Sequence, residues 1–496
     1  MHKRRTRNQQ IAIRSFTYGV MMLLAAVGVA FCLAWAMGFR IDWNDGKLTQ
    51  VALLQFNSFP SGATVDINGQ VLSTKTPTRA NVKTGETTVI MSRQGYRSWQ
   101  KTVDMSPSGV VWLNYVRLIP TSILTDTVKS FASVSEMRES PDKKWLLIRH
   151  SDDDHCYSDM GYCPEMTREG YLAMPFTFTL IDVSNPKNIR FSELTIPSDK
   201  TTPPTKDQSE FFSIVEWDPG SRFVLIKHIV GEMTEYLRLD RSNSGEVKNL
   251  TRDFGMQISD PHFSGTSGNV FFALTGTDLR KFDYGNNTAS MPLASNVWNY
   301  RPYENGRLAL VSVEEQGDKT IQRVGIYNDG HVTIVTTYQE AEPTLAVLTR
   351  FNNVDYLAIA RRGSIVIYSK PLDQDEKTPP IFLHTSGGGD WLNISPNGQF
   401  ILTGYQGKLV SFDLDTRFGY SFEVKDINSA PQWLDNSHIV STSDKMITFI
   451  EFDGQNREDI VGAHGRVTLS RDGKYLFSIS DAPSGAMLQR SALVID

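Results

Sequence analysis

The densest run of reactive side chains in this sequence is Asp152-Asp153-Asp154-His155-Cys156, followed by Tyr157, Tyr162 and Cys163. Three chemistries could use it. The chain has three cysteines, and Cys32 lies in a long apolar stretch, so Cys156 and Cys163 are left as the pair able to react with each other. In an oxidising compartment their six-residue spacer suits a disulfide that staples the loop. A zinc site wants closer ligands and a fourth donor. A calcium loop wants alternating carboxylates around a central glycine, which this run lacks. Failing all three, the aspartates are simply solvated. The disulfide is the expectation, with Asp152, Asp153, Asp154, His155, Tyr157 and Tyr162 as the candidate binding residues.

Catalytic signatures are absent elsewhere. There is no Gly-x-Ser-x-Gly elbow, no phosphate loop and no His-Glu-x-x-His. His228, His262, His331, His384, His438 and His464 are spaced along the chain in the manner of strand or loop filling. The expectation is a non-catalytic protein with no cofactor and no metal. A quinone- or metal-dependent enzyme is the third reading, after binding and spacing.

The elements that position these residues announce themselves by repetition. Eight times a short turn-forming cluster precedes a run of apolar and β-branched residues. The clearest copies are Ser140-Pro141-Asp142-Lys143, Ser395-Pro396-Asn397-Gly398 and Ser470-Arg471-Asp472-Gly473; weaker ones start at Asp218, Ser264, Tyr303, Phe351 and Leu434. From Asp218 to Ser470 the mean interval is about 42 residues, the period of propeller blades. Aromatics beside the turns (Trp217, Phe263, Tyr303, Phe351, Trp433) suit packing between neighbouring blades. The arrangement resembles the WD40-like and TolB-type β-propellers, whose blades carry a similar turn. Residues 121–496 are therefore read as an eight-bladed β-propeller, with seven blades as the alternative.

The last repeat ends one strand short. Ile123 to Val128, just before the first repeat, has strand character and no other partner, so it is expected to complete the last blade and remove the exposed edges. The interval from Ser140 to Asp218 is 78 residues, and its excess falls at 150–170 and 197–209. Insertions on a rigid scaffold are where binding specificity concentrates.

Composition sets the outer limits. A chain of 496 residues implies more than one folding unit. Its formal charge of −5 includes +5 from Lys3, Arg4, Arg5, Arg7 and Arg14, so the rest carries −10. An acidic body disfavours nucleic acid. The basic tail, 1–16, precedes an uncharged stretch read as a transmembrane signal anchor over 17–39, with the N-terminus cytoplasmic and the bulk extracytoplasmic. Competing readings are a cleaved signal peptide at Ala34-Trp35-Ala36 and a lipid anchor at Cys32.

Between anchor and repeats, residues 51–119 read as short strands with frequent turns, including an Asn68-Gly69 hairpin. Pro60-Ser61-Gly62-Ala63, Val65-Asp66-Ile67-Asn68-Gly69, Thr76-Pro77 and Gly95-Tyr96 occur in order. The segment resembles the PEGA domain, departing from its pattern at Ser61 and in lacking a glycine shortly before Thr76. The resemblance implies a small β-sandwich in a bacterial or archaeal envelope protein, with Pro60, Gly62, Ala63, Gly69, Thr76, Pro77, Gly95 and Tyr96 as structural residues. The whole is read as a membrane-anchored cell-envelope protein whose propeller binds an envelope protein or glycan. The alternative is a spacer or surface-layer attachment protein.

Overall fold

The computed structural model describes residues 7–42, 47–151, 176–205, 208–243, 246–265, 268–317, 319–373, 379–385, 389–424, 430–443, 445–482 and 485–495. The chain divides into two compact units, Met1–Ser122 and Ile123–Asp496.

The first unit opens with helix α1, Arg7–Ala36. Its stretch Arg14–Ala36 has mean hydropathy 2.2 and no buried residue, and is long and apolar enough to cross a membrane. At 1.5 Å per residue it spans about 35 Å, against a hydrocarbon core of about 30 Å. The helix ends before the apolar stretch does. Gly38 turns the chain at φ +80°, where a Cβ would crowd the Val51 carbonyl and Ser108, and strand Phe39–Asp42 follows.

That strand joins Lys47–Phe59, Thr78–Lys83 and Val110–Arg117 in one sheet, and a second sheet holds Gln70–Val71, Thr64–Ile67, Gly85–Ser92 and Trp99–Met105. Alternate side chains point inward, as strand geometry dictates. Leu54, Phe56, Val65, Val89, Met91, Trp99 and Leu113 form the shared core.

The second unit holds, among the described residues, eight four-stranded antiparallel sheets. In chain order sheets 1 to 7 occupy 133–194, 210–249, 259–289, 297–338, 344–384, 391–423 and 432–462; sheet 8 is 464–492 together with Thr125–Phe131. First strands of successive sheets stand side by side, and sheet 8 returns against sheet 1, so the ring closes.

Each repeated cluster is the turn between the first and second strands of its sheet. Ser395 shows how it works: its Oγ accepts from Phe400 N at 2.8 Å and sits 2.8 Å from Asn397 Oδ1. Ser140 and Ser470 do the same for Trp145 N and Tyr475 N. In sheet 2 Asp218 replaces the hydroxyl and takes Arg222 N and Phe223 N directly, at 2.7 and 2.5 Å. A short polar side chain thus satisfies amides that the tight turn would leave without a partner.

The runs after the turns are apolar on both faces because each sheet is buried on both. In Phe223-Val224-Leu225-Ile226, Val224 and Ile226 pack toward sheet 1, whereas Phe223 and Leu225 pack toward sheet 3. Ile401 and Leu402 divide in the same way between sheets 5 and 7. Burying each such side chain contributes about 1.5–3 kcal/mol. The turn-side aromatics Trp217, Phe263, Tyr303, Phe351 and Trp433 all lie in these intersheet layers.

Closure comes from the N-terminal side. Thr125–Phe131 pairs antiparallel with Gly485–Ala492, from Thr125 opposite Ser491 to Phe131 opposite Ala486. This strand lies two to three residues downstream of the expected Ile123–Val128. The reason is packing: Phe131 is buried between sheets 8 and 1, whereas Leu124 is 74 % exposed. Arg490 Nη2 donates to Asp126 Oδ2 at 2.7 Å across the seam.

Candidate functional site

In every sheet the first–second and third–fourth turns lie at one end of the ring. The second–third turn and the crossing to the next sheet lie at the other. Ser151 pairs with Phe176, so segment 152–175 joins second and third strands of sheet 1. The segment after Leu194 crosses to Glu210 of sheet 2. Both long insertions therefore belong to the same end. Asp152, Asp153, Asp154, His155, Cys156, Tyr157, Tyr162 and Cys163 lie outside the described residues. Among the described residues Cys32 is a free, exposed thiol on α1.

The second insertion is secured to sheet 2 by polar bonds. Thr202 donates through its backbone N to Glu235 Oε2 at 3.0 Å and through Oγ1 to Oε1 at 2.8 Å. Asn249 Nδ2 and Arg252 Nη1 hold the carbonyls of Lys200 and Asp199. Glu235 itself belongs to a cross-strand row. His228, fully buried, has Nδ1 3.1 Å from Glu235 Oε2 and Nε2 2.8 Å from Glu210 Oε1, and its ring stacks on Phe212 at 4.3 Å. Burial alone would raise the Glu235 pKa; donors from Thr202, His228 and Asn249 outweigh it and hold the carboxyl below its usual range. The row clamps the insertion to sheet 2, with His228 and Glu235 buried and Glu210 partly exposed.

A second polar group lies on the first strands of the sheets. The residue two before the turn is polar in all eight copies: Arg138, Glu216, His262, Arg301, Thr349, Asn393, Gln432 and Thr468. Several tie one sheet to the next. Glu216 takes Phe263 N at 2.6 Å, Thr349 reaches the Gly398 carbonyl, Asn393 that of Pro431, and Gln432 that of Val467. In sheets 2 to 4 these positions converge. His262 lies between Glu216 Oε2 at 2.8 Å and Asp260 Oδ1 at 3.2 Å, with Arg301 beside its Nε2.

Burial works against a charged imidazole there, as does Arg301. The hydrogen bonds to Asp260 and Glu216 prevail and hold His262 at a pKa of about 9. Asp260 is correspondingly pulled below its ordinary value; burial opposes this and is outweighed by His262, Arg301 and Lys227. Among the described residues no group of three or more His, Cys, Asp or Glu is placed to hold a metal ion. His228 and His262 thus take part in specific polar groups, which spacing alone did not reveal. The signal available was position: His150 and His228 each fall ten residues after their turn residue, Ser140 and Asp218.

The sandwich residues singled out by sequence serve turns and core. Pro60 and Pro77 follow cis peptide bonds, and Gly62, Gly69 and Gly95 have positive φ. Ala63 and Tyr96 are buried. Thr76 Oγ1 accepts from Ala63 N at 2.9 Å and meets Ser58 Oγ at 2.7 Å. Thr121 donates to the Gly95 carbonyl.

Comparison with known proteins gives one family match and a set of similar solved structures. Residues 52–118 match the family described as PEGA domain. No curated protein matches the sequence. Similar solved structures include an oligogalacturonate lyase from Vibrio parahaemolyticus, with 9% identity, TM-score 0.38, and coverage of 75% of this chain and 99% of that one. The Dos1 propeller is 11% identical, with TM-score 0.44 and coverage of 74% and 94%. Hsv2 of Kluyveromyces lactis is 11% identical, with TM-score 0.34 and coverage of 73% and 99%.

Proposed function

We propose that this is a membrane-anchored cell-envelope protein, non-catalytic, whose exported propeller recognises an envelope protein or glycan through the insertion end of sheets 1 and 2. α1 serves as the anchor with the basic N-terminus inside, and the sandwich as a spacer. The observation that carries the reading is the contrast between the regular ring and its one departure. Both long insertions leave the same end, and the described part of the second is held by four hydrogen bonds from Glu235, Asn249 and Arg252. A surface segment held by the buried Glu235 and Asn249 and by Arg252 is prearranged, which lowers the cost of binding.

The test replaces residues 153–174 by a two-residue turn. Sheet 2 shows that this suffices, since Val230 pairs with Met233 across Gly231-Glu232. The full-length variant should keep its melting temperature and lose capture of a discrete envelope component that the unaltered protein retains. Unchanged capture with unchanged stability would remove the insertion from the function and favour the spacer reading.

A further inference from the structure

At the opposite end of the ring, between sheets 4 and 5, is a pocket of about 200 Å³ that no feature of the insertion end explains. Its walls are apolar: Ile326, Leu348 and Leu372. Deep in it lies an ion pair, Arg307 Nη1 to Asp355 Oδ2 at 2.6 Å, with side chains only 11% and 19% exposed. Arg350 closes on the same carboxylate from outside, at 2.7 and 3.2 Å. Asp355 therefore already accepts three N–H donors, and has little capacity left for a ligand. Its pKa is lowered by Arg350 and Arg307 despite opposing burial, which keeps it ionised and engaged.

The capacity left over is of the donor kind. Arg307 spends Nη1 on Asp355 and Nε weakly on the Glu304 carbonyl, leaving Nη2 without a partner among the described residues. Lys370 and Asn353 line the same pocket, and neither side chain has a hydrogen-bond partner among the described residues. Asp373, exposed on the rim, offers one acceptor and disfavours a second negative charge. Among the lining residues Arg307 and Lys370 balance Asp355 and Asp373, so the pocket is neutral overall and its free capacity lies in donors. A volume of about 200 Å³ exceeds the ~150 Å³ that holds a benzene-sized body and is below the ~300 Å³ of larger ligand sites.

We propose that this pocket binds a monocarboxylate carried on a single apolar body the size of one amino-acid side chain. The carboxylate meets Lys370, Asn353 and the spare Arg307 donor, and the apolar body fills the space between Ile326, Leu348 and Leu372. An N-acylated apolar amino acid has this chemistry, whether free or as the last residue of a peptide. The proposal stands apart from the insertion-end reading and survives if that one fails.

The test titrates full-length protein in detergent micelles with N-acetyl-leucine, N-acetyl-leucinamide, and Ala-Ala-Leu with a free or an amidated C-terminus. Binding is followed by saturation-transfer NMR. Either free carboxylate should saturate, and its amide should bind roughly tenfold more weakly, the worth of one charge-assisted hydrogen bond. Lys370→Gln, an exposed site that leaves the fold intact, should remove that difference. Saturation by N-acetyl-leucine points to a small metabolite, and saturation by the peptide alone to a protein terminus. Equal binding of acid and amide, no effect of Lys370→Gln, or no saturation by either acid overturns the proposal.

Discussion

His262 shows how much one side chain can depend on its neighbours. It is the second-last residue before a weak copy of the turn, at a position that is polar in every copy. Its charge state is set by Glu216 and Asp260 of two different sheets. A folded pKa of about 9, above the ordinary 6.5, means stability that is fully present below pH 6.5 and lost as pH rises through 9. The size is on the order of 3 kcal/mol at most. The urea midpoint of the protein should therefore fall between pH 6.5 and 9, and His262→Gln should flatten that fall. Parallel curves for the two proteins would show that the imidazolium contributes nothing. The polar position was legible in the sequence as a recurring offset. The partners were not, because Glu216 and His262 are 46 residues apart and meet only once sheets 2 and 3 are adjacent.

The strands were more legible than their ends. The capped turns and two-sided apolar runs carry local physics, so all eight first–second turns could be placed from sequence. The closing pair could be named but not aligned. Its register depends on Gly485, at φ +128°, where a Cβ would collide with the carbonyl oxygens of Phe131, the last residue of the closing strand, and of Ala132 just after it. That requirement exists only after the ring has closed. Gly485→Ala should cost at least about 1 kcal/mol and lower the melting temperature. Gly462→Ala, at a strand end with ordinary φ and no close contact, should change it little. Equal effects would place the closing strand elsewhere. Removal of residues 121–129 should be more damaging still, because it exposes a full edge of sheet 8.

For the whole molecule, regularity and its breach separate structure from function. Seven crossings between sheets follow the repeat, and the sandwich motif residues are accounted for by turns and core. The broken interval between sheets 1 and 2 gathers both long insertions at one end, which sequence period alone could locate but not orient. The pocket between sheets 4 and 5 was not legible at all: Arg307 and Asp355 lie 48 residues apart on neighbouring sheets. Each is an unremarked charged residue until the ring brings them together.

Recognition at the insertion end can be tested directly by crosslinking. A photo-crosslinking residue at Thr205, exposed on the described part of the second insertion, can be compared with one at Arg471, exposed in the turn of sheet 8 at the opposite end. In full-length protein within its own membrane, Thr205 should yield a discrete adduct and Arg471 none. Equal adducts from both positions, or an adduct from Arg471 alone, would contradict the claim.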